Sequence, residues 1–259
     1  MDFSLLSALD GLLWLTAILV PLVFIQRALH REMQAVFLIL TRNPSLAMGL
    51  FALLFFPGVV LHESSHYVVA RILGVRTGGF SLIPQVMDDR LRLGYVETEK
   101  ADFVRDSLIG AAPLIVGGLV VAYIAIDHLH MLTLWNFLRG ANFPLFWKGV
   151  LLLPGYPDFW LWFYLAFAVS STMLPSQSDR HAWAPLGLSV GVLFGLALLA
   201  GAGPWMLQHL APPLNDFLRS VATIFALSAI LHVILALPFA LLHRLLSKLT
   251  GLEIRETAP

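Results

Sequence analysis

Cysteine is absent from this sequence, which removes disulfides, thiolate metal sites, cysteine nucleophiles and the usual iron–sulfur ligation. Any metal must therefore be held by His, Asp or Glu. Charge is scarce as well: Asp, Glu, Lys and Arg together make up 12% of the 259 residues, where a soluble globular domain carries about 25%. Acidic and basic residues number 16 each, so there is no net basic field to attract nucleic acid, and that class of partner drops out. No basic segment precedes the first apolar run, which follows Met1-Asp2-Phe3, so the first apolar segment is expected to remain as a membrane helix rather than to be cleaved as a signal peptide.

What the chain has in abundance is apolar side chains, 58% of its residues, with a mean hydropathy of +0.81. A hydrocarbon core about 30 Å thick needs roughly 20 such residues per helix. Six stretches meet that length, at about 4 to 26, 46 to 72, 107 to 127, 156 to 175, 184 to 205 and 218 to 244. The expectation is an all-α multi-pass protein of the cell membrane with about six transmembrane helices. It forms a single membrane-embedded domain over 1–259, with a core at about 46–180 and the lipid bilayer as its surroundings. The shorter apolar stretch from Met33 to Leu40 reads as an interfacial or re-entrant piece.

Between the second and third spans the texture changes. "GGFSLIP", a turn at Asp88-Asp89 and "RLRLGYVE" read as two short strands of a β-hairpin, whose edges either cap the helices or accept an extended peptide by strand addition. The third loop is rich in Trp and Phe, suited to the membrane interface. Lys and Arg favour the side carrying the second loop, the fourth loop and the C-terminal tail, which places the N-terminus toward the cytoplasm.

One motif is sharp. The second span contains His62-Glu63-Ser64-Ser65-His66. Histidines four residues apart share one face of a helix and can hold a single metal ion, while Glu63 beside them can take a proton from a water that the metal activates. Ionisable groups in an apolar span are costly and mark function by default. A third ligand must come from elsewhere, and the fourth span ends in "STMLPSQSDRHAW". Asp179 is the first choice and His181 the competitor. If spans three and four run out and back, Asp179 returns to the face on which His66 sits. Pro175 breaks the helix there, a break tolerated where the backbone lines a cavity. His232, in the last span, either lines the cavity or bonds to a backbone carbonyl, and His128 and His130 sit near an interface. "GAAP" and "GLALLAGAG" read as close-packing features.

These segments together resemble the site-2 protease family of intramembrane zinc metalloproteases. The resemblance runs over roughly residues 50 to 180 and rests on "HESSH", "GVRTGGFSL", "SLIGAAPLIVGG" from Ser107 to Gly118, and "STMLPSQSD". It implies a three-helix core with His62, His66 and Asp179 holding Zn2+ and Glu63 as catalytic base. It also implies a membrane-protein substrate and a site facing the cytoplasm. The chain looks like a divergent member, because Thr172 stands where the family carries Asn and Arg180 where it carries Gly. Two other classes compete with the endopeptidase: a protease-fold membrane protein that binds or chaperones a partner without cutting it, and a haem protein. The haem reading requires opposed histidines on different helices, whereas His62 and His66 share one.

Overall fold

A computed structural model describes residues 10–82, 85–87, 90–92 and 94–252; Met1-Asp2-Phe3 and the turn expected at Asp88-Asp89 lie outside the described residues. The chain is an all-α multi-pass membrane protein with a small antiparallel β-hairpin between its second and third helices. Four helices are long and apolar enough to cross a bilayer, and two bent helix pairs raise the number to six if each pair is one span.

Helix α1 covers Asp10–Thr41 and α2 Pro44–Ile72. Asn43 separates them by a cap: its side-chain oxygen accepts the Ser45 and Leu46 amides at 2.9 and 3.3 Å, and Pro44 takes the first helical position, where no amide is needed. The 32 residues of α1 span about 48 Å, well beyond the hydrocarbon thickness. The stretch Met33–Leu40, expected to be a separate interfacial or re-entrant piece, is instead the last part of this helix. Arg27 to Glu32 contain no Gly or Pro to interrupt it, and Leu29, Met33, Val36 and Ile39 bury one continuous face.

Strands β1 (Thr77–Ser81) and β4 (Tyr95–Thr98) pair antiparallel, as do β2 (Gln85–Met87) and β3 (Arg90–Arg92). The β1/β4 register slips by one residue between Thr77 and Phe80, at Gly78-Gly79, the residue type that tolerates a bulge. Helix α3 (Phe103–Tyr123) starts on an Asp102 cap that accepts the Val104 and Arg105 amides, and it ends in a π-helical turn, Ile124–His128. The short helices α4 (Met131–Arg139) and α5 (Phe143–Leu152) follow. Next come α6 (Phe159–Thr172), α7 (Trp183–Leu199), α8 (Gly203–His209) and α9 (Ala211–Thr250). The α5 and α6 segments meet at 97° and α7 and α8 at 117°.

The described residues form two compact units, one drawn from 10–54, 85–94 and 184–252, the other from 55–82 and 95–183. In the first, α1 and α9 run parallel, because their contacts advance together. Gly11 donates its amide to the Asn215 side chain at 2.5 Å and Asp10 pairs with Arg219. His30 faces His232, and Glu32 binds His243 at 2.6 Å. In the second unit the latter half of α2 lies parallel to α6, with Phe55 against Phe167 and Gly58 against the Ala168 carbonyl. Helix α3 runs antiparallel to α6, from Gly117 at Met173 to His128 stacked on Trp162 at 3.6 Å.

A parallel α1/α9 pair puts the exit of α9 on the membrane side where α1 ends. Arg244 and Lys248, near that exit, then fall on the membrane side of Thr41, and Arg219 on the side of Asp10. Because the chain has no native cysteine, single Asn43→Cys and Leu252→Cys variants can be labelled with an impermeant maleimide in oriented vesicles. Both are expected to react from the same side and Pro213→Cys from the other; opposite sidedness of positions 43 and 252 would refute the parallel pair.

Candidate metal centre

Helix α2 delivers two imidazoles to one point, and the backbone around them fixes which nitrogen faces it. His62 donates Nδ1–H to the carbonyl of Thr172 at the end of α6, 2.7 Å away. His66 donates Nδ1–H to the carbonyl of Ile109 on α3 at 2.8 Å. A carbonyl can only accept, so each ring must carry its proton on Nδ1, leaving the Nε2 lone pair for a ligand. The two Nε2 atoms lie 3.2 Å apart. Two lone pairs at that distance repel unless a proton or a cation stands between them.

Asp179 completes the group. Its Oδ1 is 3.3 Å from His66 Nε2 and its Oδ2 is 3.6 Å from His62 Nε2. In a tetrahedral zinc site with bonds near 2.05 Å, neighbouring ligand atoms stand about 3.3 Å apart. The Nε2–Nε2 separation of 3.2 Å and the nearest carboxylate contacts, 3.3 Å from Oδ1 to His66 and 3.6 Å from Oδ2 to His62, are of the size such a site needs, and three protein ligands would leave a position for water or substrate. Two neutral imidazoles and a carboxylate are also a donor set that suits zinc. Among the described residues this is the group of three His, Asp or Glu side chains able to hold a metal ion.

The carboxylate is positioned as firmly as the rings. Past the end of α6 the chain turns at Pro175, and Asp179 Oδ2 accepts the Ser176 amide at 2.7 Å while the Asp179 amide donates to Ser176 Oγ at 3.2 Å. Ser107 Oγ, on α3, bonds the Ala182 carbonyl at 3.1 Å and ties down the far end of this loop. Gly110 is required by closeness: a Cβ there would overlap the Asp179 carbonyl. Gly58 plays the same part between α2 and α6, where a Cβ would overlap the Ala168 carbonyl and the Thr172 hydroxyl.

Glu63 is buried on α2 directly after His62. His181, the competing ligand, is turned away, its Nδ1 donating to Ser178 O at 2.6 Å and its Nε2 lying 3.5 Å from Asp106. His232 bonds the Ser228 carbonyl at 2.7 Å, the second of the two roles its position allowed. The carbonyls of Thr172 and Ile109 were not foreseen from the sequence, since a main-chain acceptor leaves no mark in residue type. Gly110 did leave one, in the small-residue run that reads as packing. Comparison with protein-family models, with curated proteins and with solved structures gives no match, so the chemistry of the site rests on its geometry.

The purified protein is expected to hold about one zinc per chain by elemental analysis, lost in His66→Ala and Asp179→Ala and kept in His181→Ala; equal loss from His181→Ala would move the third ligand. Gly110→Val, which displaces Asp179 without touching a ligand, is expected to weaken zinc roughly 10- to 100-fold, the range for supporting groups of a metal site, with helix content by circular dichroism unchanged.

Proposed function

We propose that this protein is an intramembrane zinc endopeptidase, a divergent relative of the site-2 proteases, which hydrolyses peptide bonds in or near transmembrane segments of other proteins. The observation that carries the reading is the convergence of His62 Nε2, His66 Nε2 and the Asp179 carboxylate into one group able to hold a metal ion, with Glu63 next to His62 on the same transmembrane helix. A purely structural cluster has no chemical need for a second buried carboxylate, Glu63, beside it.

Zinc in such a site supplies a Lewis acid for the scissile carbonyl and makes water acidic enough to attack at neutral pH. Glu63 takes the proton that the attacking water gives up and returns it to the leaving amine, so the nitrogen departs as a neutral amine rather than as an anion. The backbone carbonyls of Thr172 and Ile109 keep both rings in the one tautomer that leaves Nε2 basic. The substrate must be extended at the scissile bond, because a helical peptide has its carbonyls engaged. The hairpin that follows α2 offers strand edges on which an extended segment can be laid. On this reading the site faces the cytoplasm, as the resemblance to the site-2 proteases implies.

A second reading has one observation in its favour. Thr172, at the position of the family's Asn, donates its hydroxyl back to the Ala168 and Val169 carbonyls, both at 3.2 Å, and so offers no free side-chain donor to a substrate. A protein that holds zinc and binds membrane helices without cutting them accommodates that loss.

The test is cleavage of membrane-inserted fluorogenic peptides by zinc-loaded protein in proteoliposomes, wild type against Glu63→Gln. Removal of the base is expected to lower the rate by about 10²–10⁴-fold with zinc content unchanged. Equal rates in the two proteins, or zinc-loaded wild type that binds the peptides and leaves them intact, would favour the non-cutting reading.

A further inference from the structure

At the end of α3 remote from the metal cluster, helices α4 and α5 form a hairpin too short to cross the membrane. Their 9 and 10 residues reach about 15 Å each, half the hydrocarbon thickness. They connect the last turn of α3 to the first of α6, which fixes them at one face of the bilayer. Trp135 and Trp147 are exposed on them, as side chains of an interfacial belt are. Asn142 caps α5 by accepting the Leu145 amide at 3.3 Å. The two helices close on Gly149, where a Cβ would press on Leu134.

Between them is a cavity of about 450 Å³, within the 300–1,000 Å³ usual for ligand sites. Its lining is amphiphilic. Leu134 and Leu153, both buried, belong to its apolar wall, and Lys148, His130, Tyr156 and Thr133 supply a cation and three further hydrogen-bonding groups. The His130 and Tyr156 rings meet at 5.1 Å. Lys148 makes no ion pair among the described residues.

We propose that this cavity is a binding site for the headgroup and upper acyl chain of an anionic phospholipid, with Lys148 on the phosphodiester and His130, Tyr156 and Thr133 on the remaining headgroup oxygens. The occupant follows from the position. An apolar wall beside a cation at the level of the interface faces phospholipid at high local concentration, and the charge complement of an ammonium there is the phosphodiester of an anionic headgroup. Free phosphate would satisfy the cation and leave the leucine wall without a partner.

Native mass spectrometry of the full chain, released from detergent and titrated with phosphatidylglycerol or phosphatidylcholine, tests this. The wild type is expected to retain phosphatidylglycerol at least tenfold more tightly, and Lys148→Gln to reduce that preference to near parity. Arg139→Gln, which removes a nearby charge outside the lining, should leave it intact. Gly149→Leu, which fills the cavity and keeps every charge, should also abolish retention, with zinc content reporting an intact fold. Equal retention of the two lipids by the wild type, or equal losses from Lys148→Gln and Arg139→Gln, would overturn the proposal. Displacement of the lipid by millimolar inorganic phosphate would overturn its assignment to lipid.

Discussion

Two hydrogen bonds from imidazole Nδ1–H to main-chain carbonyls govern the metal centre. They set the tautomer of His62 and His66, the tautomer points both Nε2 lone pairs at one place, and the distance between those lone pairs makes a cation the natural resident. Both acceptors belong to other helices, α6 for His62 and α3 for His66. The site exists only if three helices approach closely enough for rings on one to reach the backbone of the other two. Gly58 and Gly110 make that approach possible, and Ser107 holds the Asp179 loop against α3. Packing and chemistry are one constraint here, because a side chain larger than hydrogen at either glycine moves an acceptor or a ligand rather than merely filling space.

The bilayer sharpens this constraint. Water is scarce at membrane depth, so a carboxylate and two imidazoles must satisfy one another, the backbone or a bound ion. The chain answers with a broken helix: α6 stops at Thr172, Pro175 prevents its continuation, and the freed backbone is turned to use, with the Thr172 carbonyl on His62 and the Ser176 amide on Asp179. Irregular backbone of this kind is tolerable at membrane depth only where it is buried in protein or lines a water-filled cavity. A continuous helix through residues 172–179 would have carried Asp179 about 10 Å along the axis, beyond reach of the histidines.

Much of this was legible in the sequence, for identifiable reasons. His62, Glu63 and His66 stand out because polar residues at helical spacing are conspicuous in an apolar span, and Asp179 because an out-and-back pair of helices restores the membrane face. The hairpin betrayed itself through Gly78-Gly79 and alternating residues. Spans were less sharply defined. Hydropathy averages over a window, so it marked an apolar stretch at 33–40 as separate when the polar residues before it, Arg27, His30, Arg31 and Glu32, lie inside one long helix that no Gly or Pro interrupts there. Hydropathy is equally blind to a bend: α5 with α6, and α7 with α8, each pass as apolar length although they turn by 97° and 117°. The parallel course of α1 and α9 is set by tertiary pairing between residues some two hundred positions apart, which no local pattern encodes.

The departures from the site-2 protease pattern at positions 172 and 180 bear unequally on metal and on catalysis. Residue 172 serves His62 through its carbonyl, which any amino acid supplies, so Asn can become Thr with no consequence for the tautomer of His62 or for zinc. Its side chain is another matter: the Thr172 hydroxyl is spent on the helix behind it, where an amide would have had donors to spare for a substrate strand. Arg180 follows the same logic, for its guanidinium Nε donates to the Ser176 carbonyl at 3.2 Å and braces the turn that presents Asp179. Both residues are thus compatible with an intact His62/His66/Asp179 cluster, and what their side chains set is the hydrogen-bonding surface beside it. On the proposed reading, substitutions at these two positions would retune or remove cleavage without loosening the metal, so that metal content and catalysis would be separable properties.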